Sequence, residues 1–214
     1  MNAYFEKHLS LPKEEAAQLQ REYSRQYGQA LQGLVRHHQI DPLDYNAQVD
    51  DALPLEDLIK PDPRLRRFLE SIDTSKVKLW LLTNAYVNHA TRVIRLLGVD
   101  DLFEGLTYCD YGQVPLVCKP HEDMFRKAMK EAGVSDVEDC FFIGKHRVGS
   151  IRVPLTRYVD DSHSNCSGAQ KAGWIAIHYL EKDLPEPSQP AGQYCIRNLE
   201  QLRDVLPQFF KTLN

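Results

Sequence analysis

The sequence predicts an α/β fold, a parallel sheet with helices on both faces preceded by a helical segment. Three observations predict it. Apolar runs short enough to be strands alternate with segments of helical period from residue 77 onward. The first 60 residues carry helical spacing and no convincing strand. With 43% apolar and 26% charged residues in 214, the chain can bury a good-sized core.

In the first 60 residues, Ala16, Leu19, Tyr23, Tyr27, Ala30, Leu31 and Leu34 recur at intervals of three and four, behind a cap expected at Ser10 with Pro12 in the first turn. "VDDALPLEDLIKPDP" leads out through three prolines. "VKLWLLT" is nearly all apolar, as expected of a strand covered on both faces. "NHATRVIRLLG" then puts Ala90, Val93, Ile94 and Leu97 on one helical face and stops at Gly98. "GLTYC" is a short strand. "KPHEDMFRKAMKEAG" is a helix opened by Pro120, closed by Gly133, and expected to bury Met124, Phe125, Ala128, Met129 and Ala132. "DCFFI" is a strand, "NCSGAQKAG" a helix, "WIAIHYL" a strand, and Asn198 to Leu206 a last amphipathic segment.

Charge and cysteines exclude several functions. A net charge of −4 gives no footprint for nucleic acid or an anionic membrane surface. No apolar run approaches the ~20 residues of a membrane span. Cys109, Cys118, Cys140, Cys166 and Cys195 are odd in number and form no C-x-x-C, so inert core thiols in a reduced cytoplasmic or nuclear compartment are expected.

In an open parallel sheet, ligands gather at the carboxyl ends of strands. Those ends deliver Thr83 and Asn84, a stretch leading to Lys119, and the pair Asp160 and Asp161. A hydroxyl, an amide and an ammonium suit a phosphoryl group. Two carboxylates suit Mg²⁺, which takes one or two and keeps its waters. His89, His121 and His163 lie near these motifs and read as surface residues.

"LLTNAY", "VCKP" and "VDDSHSNCSGAQKAG", in that order, resemble the second, third and fourth motifs of haloacid dehalogenase-like phosphatases. "YGQALQGLVRHHQIDPLDYN" and "GLTYCDYGQVPLVCKP" resemble the fungal pyrimidine 5'-nucleotidase branch. The resemblance implies a Rossmann-like core over residues 61–214 and a helical cap over residues 1–60. It implies that Thr83 and Asn84 hold phosphate, and that Lys119 and Thr83 act in catalysis. It also implies that Asp160 and Asp161 hold Mg²⁺ and that "YGQALQGLVRHH" lies near the nucleoside. The substrate implied is a pyrimidine nucleoside monophosphate; a lysophospholipid phosphate or sugar phosphate is the alternative within the family, and a binding protein without turnover the alternative outside it.

Two departures from the family pattern stand out. Its first motif, a strand ending in D-x-D, supplies the nucleophile and general acid, and no two aspartates here are spaced two apart. The first core strand is therefore expected to be missing, and the chain as written is expected not to turn over. Secondly, removing residues 144–158 would run "DCFFI" directly into "VDDS". That stretch of fifteen carries four arginines and lysines, two glycines and a proline, and is read as translated intron or a wrongly placed exon boundary, a real surface loop being the alternative.

Overall fold

The computed structural model describes residues 1–145, 161–180 and 189–212. The helical segment begins with α1 (Asn2–Leu9), α2 (Lys13–Tyr27) and α3 (Ala30–His38). Each ends on a left-handed residue: Ser10, Gly28 and Gln39, at φ 53°, 76° and 52°, a geometry that satisfies the last carbonyls. Ser10 therefore closes α1 rather than capping α2, whose first turn follows Pro12 without a side-chain cap. Next, Asp41 accepts from the Leu43 N–H and Pro42 opens α4 (Pro42–Tyr45). A π-helical turn, Asn46–Asp50, extends it, with the Asp51 N–H reaching the Asn46 carbonyl at 2.9 Å. Then come α5 (Leu55–Leu58) and α6 (Pro63–Glu70), the latter capped by Asp62.

Helical spacing becomes burial here. Phe5, Ala16, Leu31, Leu34 and Tyr45 form a core together with Cys109, Tyr111, Leu116 and Cys118 from the later part of the chain. Full burial of a side chain such as Leu34 contributes about 1.5–3 kcal/mol, so this cluster fastens the helices onto the loop at 109–118.

The remaining elements are β1 (Trp80–Thr83), α7 (Val87–Leu97), β2 (Gly105–Tyr108), α8 (Glu122–Ala132), β3 (Phe141–Lys145), α9 (Asp161–Lys171), β4 (Ile175–Tyr179), β5 (Tyr194–Ile196) and α10 (Leu202–Val205). All strand pairings are parallel among the described residues. The short strand β5 was not foreseen; its pattern Tyr194–Cys195–Ile196 is exposed, exposed, buried, and too short to show a period.

The strands form two sheets rather than the single one expected: β1 with β2, and β3–β4–β5. The physical reason is that no described strand pairs with the edge of β1 opposite β2, or with the edge of β3 opposite β4. The consequence shows in burial. β4, paired on both sides, buries Ala176, Ile177 and His178, whereas all four β1 residues stay half-buried. Ile143 on β3 is 43% exposed. "VKLWLLT" is thus only partly strand and is not fully covered.

Two cores nevertheless tie the sheets together. Phe125, Phe142, Cys166, Ala169 and Trp174 pack with Leu82 of β1 on the α8–α9 side. Phe68, Ile177, Ile196 and Leu202 pack with Val77, Leu79 and Phe141 on the α6–α10 side. Of the suspected insert, residues 144 and 145 continue β3, opposite His178 and Tyr179. Residues 146–158 lie outside the described residues.

Candidate active site

β1 ends in Thr83 and Asn84, and both side chains are set by short-range chemistry. Thr83 Oγ1 accepts the Ala85 N–H at 3.1 Å, which fixes the turn and leaves the hydroxyl its own proton to donate. Asn84 makes a two-point clamp on Lys119. Its Oδ1 accepts the Lys119 N–H at 2.8 Å, and its Nδ2 donates to the Lys119 carbonyl at 2.9 Å. The same Nδ2 reaches the Gly28 carbonyl at 3.4 Å. Only a carboxamide can donate and accept in this way, which explains an asparagine at this strand end.

Lys119 then extends back over the sheet. Its ammonium donates to the Leu82 carbonyl at 2.7 Å and lies 5.3 Å from the Phe142 ring centroid. Two glycines permit this packing. A Cβ on Gly28 would stand 2.2 Å from the Lys119 carbonyl, and one on Gly168 of α9 would stand 2.5 Å from that of Pro120. The segment carrying Lys119 is therefore pressed between the end of α2 and the body of α9.

Beside it lies a cavity of about 320 Å³ whose lining includes Asn84, Lys119 and Asn165, Gln29 and Asp50 of the helical segment, and His89 of α7. Tyr45, Tyr111, Gln20 and Ser24 also line it. Gln29 Nε2 donates to the Tyr111 hydroxyl at 2.8 Å, and that hydroxyl donates to the Asn84 carbonyl at 3.3 Å. This chain of bonds spans from the helical segment to the strand end. Three buried atoms in the wall lack a hydrogen-bond partner: Gln29 Oε1, His89 Nδ1 and Asn165 Oδ1. Buried polar atoms are ordinarily paired, so their clustering in one cavity marks a place for a polar ligand.

Burial raises the Asp50 carboxyl above its usual pKa; His89 opposes the shift and Asp51 adds to it. Burial also pushes the Cys109 and Cys118 thiols up to about 12, so both stay protonated. None of the five cysteines is in a disulfide, and Cys195 alone of them is exposed.

Of the expected site residues, Asn84 and Lys119 come together and line the cavity, with Asn84 directed at the Lys119 backbone; Thr83 ends β1 with its hydroxyl accepting the Ala85 N–H and is not among the lining residues. Asp160 lies outside the described residues; Asp161 opens α9, one turn before Asn165. Among the described residues no group of three or more histidine, cysteine and acidic side chains could hold a metal ion. The expectation that His89 is a surface residue is corrected: α7 carries it into the cavity, and its Nδ1 is buried. His121 is at the surface and caps α8, accepting from the Asp123 N–H. His163 is half-buried, with Nε2 3.3 Å from the Gln189 carbonyl. Asp50 was not anticipated, because no motif surrounds it; the π-helical turn was the signal, such turns being frequent at functional sites.

A parallel α/β core, a lysine held at its strand ends and a helical segment roofing the cavity define a hydrolase of the haloacid dehalogenase class. The chain belongs to the haloacid dehalogenase-like hydrolase family, whose model matches residues 2–144. It is 34% identical over 217 residues to phosphate metabolism protein 8 of Saccharomyces cerevisiae, covering 96% of this chain and 63% of that protein. The chain thus spans less than two thirds of that relative's length. Among solved structures it resembles a HAD phosphatase from Thermococcus onnurineus (TM-score 0.55, 18% identity, 96% of this chain and 86% of that one). It also resembles L-2-haloacid dehalogenase from Xanthobacter autotrophicus (TM-score 0.52, 15% identity, 70% and 62%). At those identities the likeness concerns the fold.

Proposed function

We propose that the cavity binds a phosphate monoester and that the protein is, by its family, a Mg²⁺-dependent phosphomonoester hydrolase acting on a pyrimidine nucleoside monophosphate, inactive as the present chain, which lacks the family's D-x-D aspartates. The observation that carries this reading is the Asn84 clamp, which fixes the Lys119 backbone so that a cation is presented at strand ends beneath a helical roof. A preorganised ammonium in a partly dry site stabilises phosphoryl oxygens without reorganising as charge develops. The likeness to a protein named for phosphate metabolism supports the choice of phosphate. Asp160 and Asp161 are the residues that would hold magnesium, as hard oxygen donors; Asp161 opens α9, whose residue 165 lines the cavity. The ion would neutralise charge on the phosphoryl group.

One observation favours a second reading, phosphate binding without turnover: no two aspartates of this sequence stand in D-x-D spacing. Titration with inorganic phosphate and uridine 5'-monophosphate in Mg²⁺, beside a phosphate-release assay, tests both. Lys119→Ala is expected to weaken binding of both ligands at least tenfold, about 1.4 kcal/mol. Equal binding by Lys119→Ala and the unaltered chain overturns the phosphate site. Release that is abolished in Asp161→Ala supports hydrolysis; release no greater than that of Asp161→Ala supports binding alone.

A further inference from the structure

Away from the candidate active site, we propose that one face of α6, together with Arg203 of α10, forms a binding site for a polyvalent phosphate, an anion with two or more linked phosphoryl groups. A second cavity of about 320 Å³ lies there, lined by Arg64, Arg67, Phe68, Glu200 and Arg203. None of these residues belongs to the Lys119 cavity.

Helix geometry brings the groups together. Arg64, Arg67, Phe68 and the C-cap Ser71 occupy the i, i+3, i+4 and i+7 positions of one face of α6. Arg203 is laid onto that face by named contacts. Its Nη2 donates to the Ser71 hydroxyl at 2.7 Å and its Nε donates to Glu200 at 2.8 Å. Its guanidinium carbon lies 5.8 Å from the Phe68 ring centroid and 4.6 Å from that of Phe210. These contacts engage two of its five N–H groups and fix the plane of the rest. Phe68, the one ring in the lining, is buried, so no aromatic face is open for a base to stack on and charge does the selecting.

Glu200 balances Arg203, which leaves the positive charges of Arg64 and Arg67 uncompensated in a chain of net charge −4. Among the described residues neither of these two guanidiniums has a hydrogen bond or an ion pair. Their neighbour Arg66 shows the contrast: it forks onto Asp101 through two bonds of 2.8 Å and pairs with Glu70 at 2.9 Å. Like charges one helical turn apart repel, so the Arg64–Arg67 face is improved by an anion. A guanidinium fork matches two oxygens of a phosphoryl group. A single phosphoryl group serves one fork well. Linked phosphoryl groups reach Arg64, Arg67 and the remaining N–H groups of Arg203 together, which is why the ligand is assigned as polyvalent.

The test is calorimetric titration of the full chain with pyrophosphate and with inorganic phosphate, at constant ionic strength and without Mg²⁺. Lys119→Ala is titrated alongside, which separates this site from the strand ends. Saturable pyrophosphate binding is expected to persist in Lys119→Ala, about tenfold tighter than that of inorganic phosphate. Arg64→Gln combined with Arg67→Gln is expected to weaken it at least tenfold without lowering the thermal midpoint, since both side chains are exposed and unpaired among the described residues. Arg21→Gln combined with Arg95→Gln removes the same charge from exposed positions on α2 and α7 and is expected to change the affinity less than twofold. Hydrogen–deuterium exchange of the unaltered chain locates the ligand independently: pyrophosphate should slow exchange in a peptide spanning residues 63–71 more than in one spanning residues 80–83. No saturable binding in Lys119→Ala, equal losses in the two double variants, pyrophosphate bound no tighter than phosphate, or protection confined to residues 80–83 overturns the site.

Discussion

Asp50 occupies a wall shared with Tyr45, Tyr111 and His89, and burial holds its proton to higher pH than in an unfolded chain. As pH rises through that interval the unfolded state releases the proton first, so folding is opposed and stability falls. At neutral pH, Asp50 is therefore a cost to the fold, partly offset by His89. Asp50→Asn is expected to raise the thermal midpoint at pH 7 by a few degrees, with the gain shrinking as pH is lowered toward 4. Removing a functional-site strain commonly stabilises in this way. Equal midpoints at both pH values would show that the carboxylate is already compensated. Asn84 is the opposite case. Asn84→Ala removes both clamps on Lys119 and leaves its N–H and carbonyl unpaired, at about 1–3 kcal/mol for each group that stays buried. Asn84→Asp keeps the acceptor and loses the donor, so its denaturation midpoint should fall between those of the alanine variant and the unaltered chain.

At the scale of elements, the helix ends decide how closely the parts approach. Gly28 and Gly133 both close helices at positive φ, 76° and 70°. Their surroundings differ: a Cβ on Gly28 would strike the Lys119 carbonyl at 2.2 Å, whereas one on Gly133 meets nothing within 4 Å. Gly133→Ala should therefore cost only the left-handed penalty of about 1–2 kcal/mol. Gly28→Ala should cost more and also weaken phosphate binding, because the backbone that must shift is the one bearing Lys119. Equal losses of urea midpoint in the two variants would count against the close approach. Much at this scale was readable in advance. Gly98 and Gly133 end α7 and α8 where the periodicity stops, and Met124, Phe125, Ala128 and Ala132 are buried as spaced. Thr83, Asn84 and Lys119 were expected to gather because strand ends are where a parallel sheet collects ligands, and the structure joins Asn84 to Lys119. Asp50 and His89 were not, because 39 residues separate them and only the packing of the π-helical turn near α7 joins them. Likewise, no pattern in the sequence announces that Asn84 bonds to the Lys119 backbone, a contact made between two loops.

At the scale of the molecule, the split sheet sets where the fold is weakest. Among the described residues three apolar clusters hold it: one under the helical segment, one on the α8–α9 side of the strands and one on the α6–α10 side. The clusters tolerate a break in the hydrogen-bonded ladder because burial of apolar area is non-directional. Backbone protection is not so forgiving. Among the described residues β1 has a ladder partner on one side only, and its four residues are half-exposed. β4 is flanked by β3 and β5, with Ala176 and Ile177 fully buried. Local opening of β1 breaks one set of bonds and exposes little additional apolar surface, whereas opening β4 breaks two and uncovers both cores. Opening free energies within one protein range from near zero to the global value. Hydrogen–deuterium exchange followed by mass spectrometry should thus show a peptide spanning Trp80–Thr83 exchanging at least tenfold sooner than one spanning Ile175–Tyr179. Ligand binding adds a second expectation. Lys119 donates to the Leu82 carbonyl, so phosphate held by Lys119 should slow exchange across β1 more than across β4. Identical protection of the two strands before ligand is added would mean that β1 is braced by more than β2, and the two-sheet account of its exposure would have to be abandoned.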